Sequence, residues 1–345
     1  MPTIQDVAKR AGVAPITVSR VINNSGYFSE ETRERVEAAI VELGYVPNRL
    51  ARGLRIKQTN ILALILTDIT NPFFTTVARG VEDAAGEAGF TVTFCNTDES
   101  VAKEQKYLEV LLQQQVDGIL LVPAGSSPDS VQFAQKYGTP VVVLDRRVPD
   151  VNTDSVRCDS EGGAYKLVRL LQELGHRRIA ILGGPEGIST ADDRLAGYRQ
   201  AMAEIGQTGN GDLVQSGSFT MSSGYEMVKT AVAKTPRPTA IFAANNFLAI
   251  GALRGLQDCG LRVPEDVALV GFDDLPPALT TFPFLTVAAQ PAYDLAQIAT
   301  KLLLARLAGE APETCQEIIL QTELIIRQSS GGSLIRNGGC DRSLE

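Results

Sequence analysis

The sequence predicts an α/β protein: a small helical unit at the N-terminus, then a larger body of doubly wound parallel sheets in two lobes. Two observations carry this. From Ile61 onward, apolar runs of five or six residues alternate with amphipathic helical stretches, whereas residues 3–45 show helical periodicity alone. The alternating part is also long enough to build the same α/β unit twice.

The helical unit is legible residue by residue. Ile4 to Ala11 and Pro15 to Ile22 flank a short turn containing Gly12, a spacing at which two helices cross and share one apolar face. Thr3 suits an N-cap with Asp6 three residues on, Gly12 a left-handed C-terminal position, and Pro15 a first helical turn. Ile4, Val7, Ala8, Val18 and Val21 form the inner face. Outside remain Pro15, Ile16, Thr17, Ser19, Arg20 and Asn23, a surface with the reach and hydrogen-bonding capacity to lie in a DNA major groove. Ser29 is a good N-cap for a third helix that runs to Leu43 and is ended by Gly44.

Charge divides the chain in the same place. The 345 residues carry a net charge of −8, yet up to Asn60 there are nine Lys or Arg against six Asp or Glu, a local +3 that leaves −11 for the rest. A basic head on an acidic body is what phosphate binding by one end requires, since local cations supply the affinity. The segment YVPNRLARGLRIKQTN holds Arg49, Arg52, Arg55 and Lys57 and no acid. Its short helix, capped by Asn48, needs a partner or DNA to be stable. No apolar run approaches the roughly 18 residues of a membrane span, and none suits a signal peptide, so the expected location is the cytoplasm. The five cysteines, Cys95, Cys158, Cys259, Cys315 and Cys340, are scattered without C-x-x-C spacing and read as reduced thiols. No metal or cofactor is expected.

In the body, the apolar runs 61–66, 90–94, 118–122, 140–144, 178–182, 239–243 and 267–272 read as strands buried on both faces. Helices are expected at Val77 to Glu87, Lys103 to Gln114, Gly162 to Leu174, Arg194 to Ile205 and Phe247 to Gln257. Ile61 to Arg157 and Asp159 to Ala288 form the two halves, and Tyr293 to Arg327 adds one helix and two strands. In open α/β sheets ligands gather at the carboxyl ends of strands, so polar and aromatic residues just after the runs are candidates. They are Asn71, Phe73, Phe74, Asp145, Arg146, Arg194, Phe219, Asn245, Asp273 and Gln290. Their chemistry fits a monosaccharide, with aromatic faces for the ring and mixed donors and acceptors for hydroxyls.

TIQDVAKRAGVAPITVSRVIN, followed by ARGLR, NPFF, GHRRIAILGGP, DDRLAGY, FAANN and LVGFDD, resembles the lactose-repressor (LacI/GalR-type) family of bacterial transcription regulators from Thr3 to about Ser329. The resemblance implies a helix-turn-helix domain (1–46), a hinge helix and linker (47–59), a two-lobed, periplasmic-binding-protein-like effector-binding and dimerisation body (60–329) and a flexible tail (330–345). It also implies a homodimer on palindromic operator DNA, with repression as the default. It places base readout on Pro15, Ile16 and Arg20 and phosphate contact on Thr17 and Ser19. Leu54 matches the leucine that family members wedge into the minor groove, among the hinge cations Arg49, Arg52 and Arg55. The ten body residues match sugar-contacting positions of ribose-binding proteins and ribose-type repressors, so ribose or a similar aldose is the expected effector; a nucleoside, a purine or another small metabolite is the alternative. One departure is Ala14, where the family has a capping Ser.

Other classes fit less well. A periplasmic transport receptor would share the body but has no use for the first 57 residues. An enzyme needs a nucleophile, metal or cofactor motif, and GGPEG at 183–187 lacks the G-x-G-x-x-G spacing. Asp273 and Asp274 have no third ligand in view, and His176, the only histidine, stands between a helix and a strand where a structural cap is expected.

Overall fold

Capping chemistry sets the three N-terminal helices, α1 (Ile4–Ala11), α2 (Pro15–Ile22) and α3 (Glu30–Leu43). Thr3 and Asp6 form a reciprocal capping box, and Gly12 and Gly44 end α1 and α3 with φ of 68° and 59°, values at which a Cβ is strained. Val7, Ala8, Ala11, Val18, Val21, Val36 and Ala39 meet in one small core. Ala14 occupies the N-cap of α2 with φ −70° and ψ 149° and offers no side-chain bond, so that helix starts without a cap.

The computed structural model describes residues 2–46, 58–207, 211–276 and 283–332, and it divides into Met1–Thr59 and Asn60–Glu345. The second unit contains two six-stranded sheets. In the first, β1 (Ile61–Leu66), β2 (Thr91–Asn96), β3 (Gly118–Leu121), β4 (Val141–Leu144), β5 (Asp154–Cys158) and β11 (Glu317–Leu320) lie in the order β11-β5-β4-β3-β1-β2, all parallel. In the second, β6 (Ile179–Gly183), β7 (Val214–Ser216), β8 (Ala240–Ala243), β9 (Ala268–Phe272), β10 (Thr286–Ala289) and β12 (Glu323–Ile325) lie in the order β12-β10-β9-β8-β6-β7, with β12 antiparallel.

Strand β1 shows why the apolar runs are continuous. Leu62, Leu64 and Leu66 face a core that includes α4 (Pro72–Glu87) and α11 (Ala292–Ala308), while Ala63 and Ile65 face one formed with α5 (Val101–Gln113) and α6 (Asp129–Lys136). The second sheet is likewise covered by α7 (Ser160–Glu173) and α8 (Ser189–Glu204) on one face and α9 (Met221–Val232) and α10 (Asn246–Asp258) on the other.

Several expectations change. Residues 90–94 were expected as a strand buried on both faces, but β2 is a sheet edge where Phe94 is 45 % exposed. Helix α4 starts five residues before the expected Val77, because Asn71 caps it and Pro72 fills its first turn. Strands β5, β7 and β10 were not anticipated: β5 alternates buried with half-buried residues, and β7 and β10 are only three and four residues long. The tail was expected from residue 330, yet Ser330 is buried and its hydroxyl bonds that of Thr286 at 2.9 Å.

The missing cap gives a direct test. Ala14→Ser should stabilise α2 by about 1 kcal/mol, seen as slower amide exchange of Thr17 and Val18 in the full chain; unchanged exchange rates would show that Pro15 alone already holds the first turn.

Candidate functional site

The carboxyl ends of the two sheets face a cleft of about 450 Å³, and all ten candidate residues of the body line it. The geometry is nearly symmetric. Asp145 follows β4 and Asp273 follows β9, each with positive φ (64° and 67°), and each backbone N–H donates to the neighbouring strand, Asp145 to Val156 at 2.9 Å and Asp273 to Ala288 at 3.0 Å. The left-handed turn aims both carboxylates into the cleft from opposite lobes, a backbone conformation that Asp adopts more readily than most residues.

Their surroundings are charged and dry. Arg194, on α8, donates to the Ala244 carbonyl at 2.7 Å, lies 3.9 Å from the Asp273 carboxylate and stacks 3.9 Å from the Phe272 ring centre. Gln290 donates to Asp273 at 2.6 Å. Arg146 stands 4.0 Å from Asp145, but its two terminal nitrogens are held at 2.7 and 2.6 Å by Glu99, and one also donates to the Pro123 carbonyl at 2.8 Å. Burial pushes Asp145 up to about 6, opposed by Arg146 and Arg194 and reinforced by Asp273 and Glu99. Burial also raises Asp273, against the pull of Arg194 and the Gln290 hydrogen bond.

Asn71 and Asn246 clasp the lobes through reciprocal carboxamide bonds of 3.2 and 2.9 Å, and Asn71 also accepts from the Phe73 N–H. Phe73 and Phe74 pack edge to face, with centres 5.0 Å apart. Phe219 reaches the cleft over Gly184, where an added Cβ would lie 2.2 Å from its ring. The GGPEG segment therefore makes room for a side chain. Asn245 caps α10 through the Leu248 N–H at 2.8 Å.

Nine lining residues escaped the sequence reading, among them Thr67, Asp98, Glu99 and Thr190, and so did Asn246 of the clasp. The only available signal was Thr67's place at the end of β1, the criterion applied elsewhere. Inside the cleft, Thr67 Oγ1, Asp145 Oδ1, Arg146 Nε, Arg194 Nε and Gln290 Oε1 are buried without a hydrogen-bond partner in the protein.

On the helical unit, Pro15, Ile16 and Arg20 are exposed, and Thr17, Ser19 and Asn23 are half-buried. Asn23 donates to the Ser19 carbonyl at 2.6 Å and to its hydroxyl at 3.3 Å, so those two side chains are tied to each other. Arg49, Arg52, Leu54 and Arg55 lie outside the described residues. His176 pairs with the Thr239 hydroxyl at 2.9 Å, and Asp274 takes a bidentate bond from Arg327 at 2.6 and 2.7 Å; both are structural. No cluster suited to a metal ion occurs among the described residues, and no described helix is long and apolar enough to cross a membrane.

A helix-turn-helix unit joined to a two-lobed body with a polar interlobe cleft defines a ligand-responsive DNA-binding regulator. Residues 3–48 match the model for bacterial regulatory proteins of the lacI family, and residues 168–330 match that for a periplasmic binding protein-like domain. The ribose operon repressor of Halalkalibacterium halodurans is 37% identical over 332 residues, covering 96% of this chain and 98% of that protein. The HTH-type transcriptional repressor PurR of Photobacterium profundum is 35% identical over 330 residues, covering 95% and 98%. Among solved structures, the lac repressor dimer bound to operator and an anti-inducer superposes with a TM-score of 0.83 at 28% identity, over 95% of this chain and 99% of that one. The chain belongs to the LacI family of transcription regulators, which bind DNA and are not enzymes.

The raised Asp145 fixes a sign. Between its ordinary value of 3.8 and about 6 the folded chain holds the proton more tightly than the unfolded one, so this residue's contribution to stability grows as pH falls through 6. Asp145→Asn should therefore stabilise the ligand-free protein at pH 7.5 by roughly 1 to 3 kcal/mol, with the gain fading by pH 5. Urea titrations at the two pH values check it; an equal change at both would rule out desolvation as the cause.

Proposed function

We propose that the chain is a cytoplasmic, homodimeric repressor of sugar-utilisation genes that holds a palindromic operator through α2 and the basic segment 47–59. Its grip is modulated by a monosaccharide, ribose or a similar aldose, bound in the interlobe cleft. The set of buried polar atoms without protein partners carries this reading. Donors and acceptors stand together beside three phenylalanines, and an aldose supplies both hydroxyls to pair with them and an apolar ring face to stack. The relative named as a ribose operon repressor agrees with it. The alternative, a purine, fits less well, because a flat base has fewer hydroxyls to offer Asp145, Asp273 and Gln290. Calorimetry of the whole protein against D-ribose, other pentoses and hexoses, and a free purine separates the two.

Arg194 is the most exacting test, because removing it leaves Asp273 buried beside no other guanidinium within 4 Å among the described residues. Arg194→Ala should weaken aldose binding by roughly 10- to 100-fold; unaltered affinity would take Arg194 out of the site. At the other end, resemblance assigns Leu54 to the minor groove. Leu54→Ala should weaken operator binding about tenfold or more while leaving the calorimetric sugar affinity unchanged, and equal gel-shift titrations of the two proteins would reject that role.

A further inference from the structure

We propose that the cleft selects uncharged polyhydroxy effectors and turns away their phosphate esters, because its wall is acidic and each of its two guanidinium groups already stands beside a carboxylate of the protein. This rests on the carbohydrate reading and narrows it to one chemical class.

Five carboxylates, Asp68, Asp98, Glu99, Asp145 and Asp273, line the cleft against the two cations Arg146 and Arg194. The balance among these groups is three negative charges with every group ionised, reduced to two by Lys103, which pairs with Asp98 at the rim. Neither cation faces the cleft without a carboxylate at its side. Glu99 closes both terminal nitrogens of Arg146, and Arg194 is bound to the Ala244 carbonyl and laid against Phe272 beside Asp273. Arg146 retains only an unpartnered Nε, enough for one hydroxyl but not for the two-pronged grip by which guanidinium holds a phosphoryl group, and at Arg194, held through one terminal nitrogen, a phosphoryl group meets the Asp273 carboxylate beside it.

Helix starts, the other common anion sites, are closed as well. At α4, Asn71 takes the Phe73 N–H; at α10, Asn245 and Asn246 take those of Leu248 and Phe247; at α9, Thr220 takes that of Ser223. The start of α8 has no side-chain cap, but Asp192 stands in its first turn, accepting from the Gly187 N–H at 3.4 Å, and Asp193 follows. A dianion entering this space meets like charge beside either cation. A sensor with such a cleft reads the sugar before the phosphoryl transfer that would consume it.

Calorimetry of the full-length protein with D-ribose and D-ribose 5-phosphate tests this, at low and at physiological ionic strength. The ester should bind at least about tenfold more weakly than the free sugar, and the gap should shrink as salt screens the half-exposed Asp98 and Glu99. Glu99→Gln frees Arg146 and removes a negative charge, so it should raise affinity for the ester about threefold or more, a gain that loss of a purely structural contact does not produce. Asp98→Asn, at an exposed position, removes a charge without touching Arg146 and also releases Lys103 from its ion pair, so it too should raise affinity for the ester. An ester that binds within tenfold of the sugar overturns the proposal while leaving the sugar site standing. Exclusion unchanged in both variants and at both salt levels overturns it too, since the barrier would then be size. Heat with neither compound, nor with any other aldose, removes the carbohydrate reading and this inference together.

Discussion

Two carboxylates buried where two lobes meet are the constraint on which this body depends. Asp145 and Asp273 are 8 % and 5 % exposed, come from opposite sheets and raise one another's cost of ionisation, so each needs compensation close at hand. The protein supplies some of it: Arg194 reaches Asp273 from the same lobe, and Arg146 stands beside Asp145. It does not supply all of it, because Asp145 Oδ1 and both Nε atoms find no hydrogen-bond partner among the described residues. A site left short in this way gains more from a ligand that carries several hydroxyls than a fully satisfied one would.

The same arrangement explains why such a ligand reports on shape. A group that bonds Asp145 and Asp273 together bonds both lobes, and its affinity depends on their separation. Contacts made without ligand already join the lobes. The Asn71–Asn246 clasp spans one part of the interface, and the Arg147 loop spans another, with its backbone N–H on the Ser189 hydroxyl at 2.8 Å and its guanidinium on Asp193. A ligand that bridges the cleft would add to these contacts.

How much of this could be read in the sequence varied with the physics of each residue. The helices α1 to α3 were legible to their ends because caps, turn glycines and apolar spacing all act locally. Central strands such as ILALIL declared themselves because both their faces are buried, whereas β5, with Asp154 and Arg157 in it, and the three-residue β7 gave too little apolar signal. The ten candidates of the cleft could be picked out because each ends or follows a strand, or begins a helix, at one end of a sheet. Glu99 could not, since its role comes from Arg146, 47 positions later in the chain, and no local pattern announces a pairing of that kind. Asn246 was hidden by its neighbour: two adjacent asparagines do different work, one capping α10 and the other crossing the cleft.

Topology decides what closure can do. The chain passes between lobes three times, at Cys158–Ser160, at Ala289–Ala292 and at Leu320–Glu323, and the first and third passes are tied by the Asp159 N–H donating to the Leu320 carbonyl at 2.9 Å. Short adjacent crossings leave the lobes free to rotate about that edge and resist sliding along it. The body's first residue is held with equal firmness to one lobe: the Asn60 N–H donates to Asp117 at 2.7 Å, and its carbonyl accepts from Thr91 at 2.9 Å. A rotation of that lobe would therefore carry Asn60 with it.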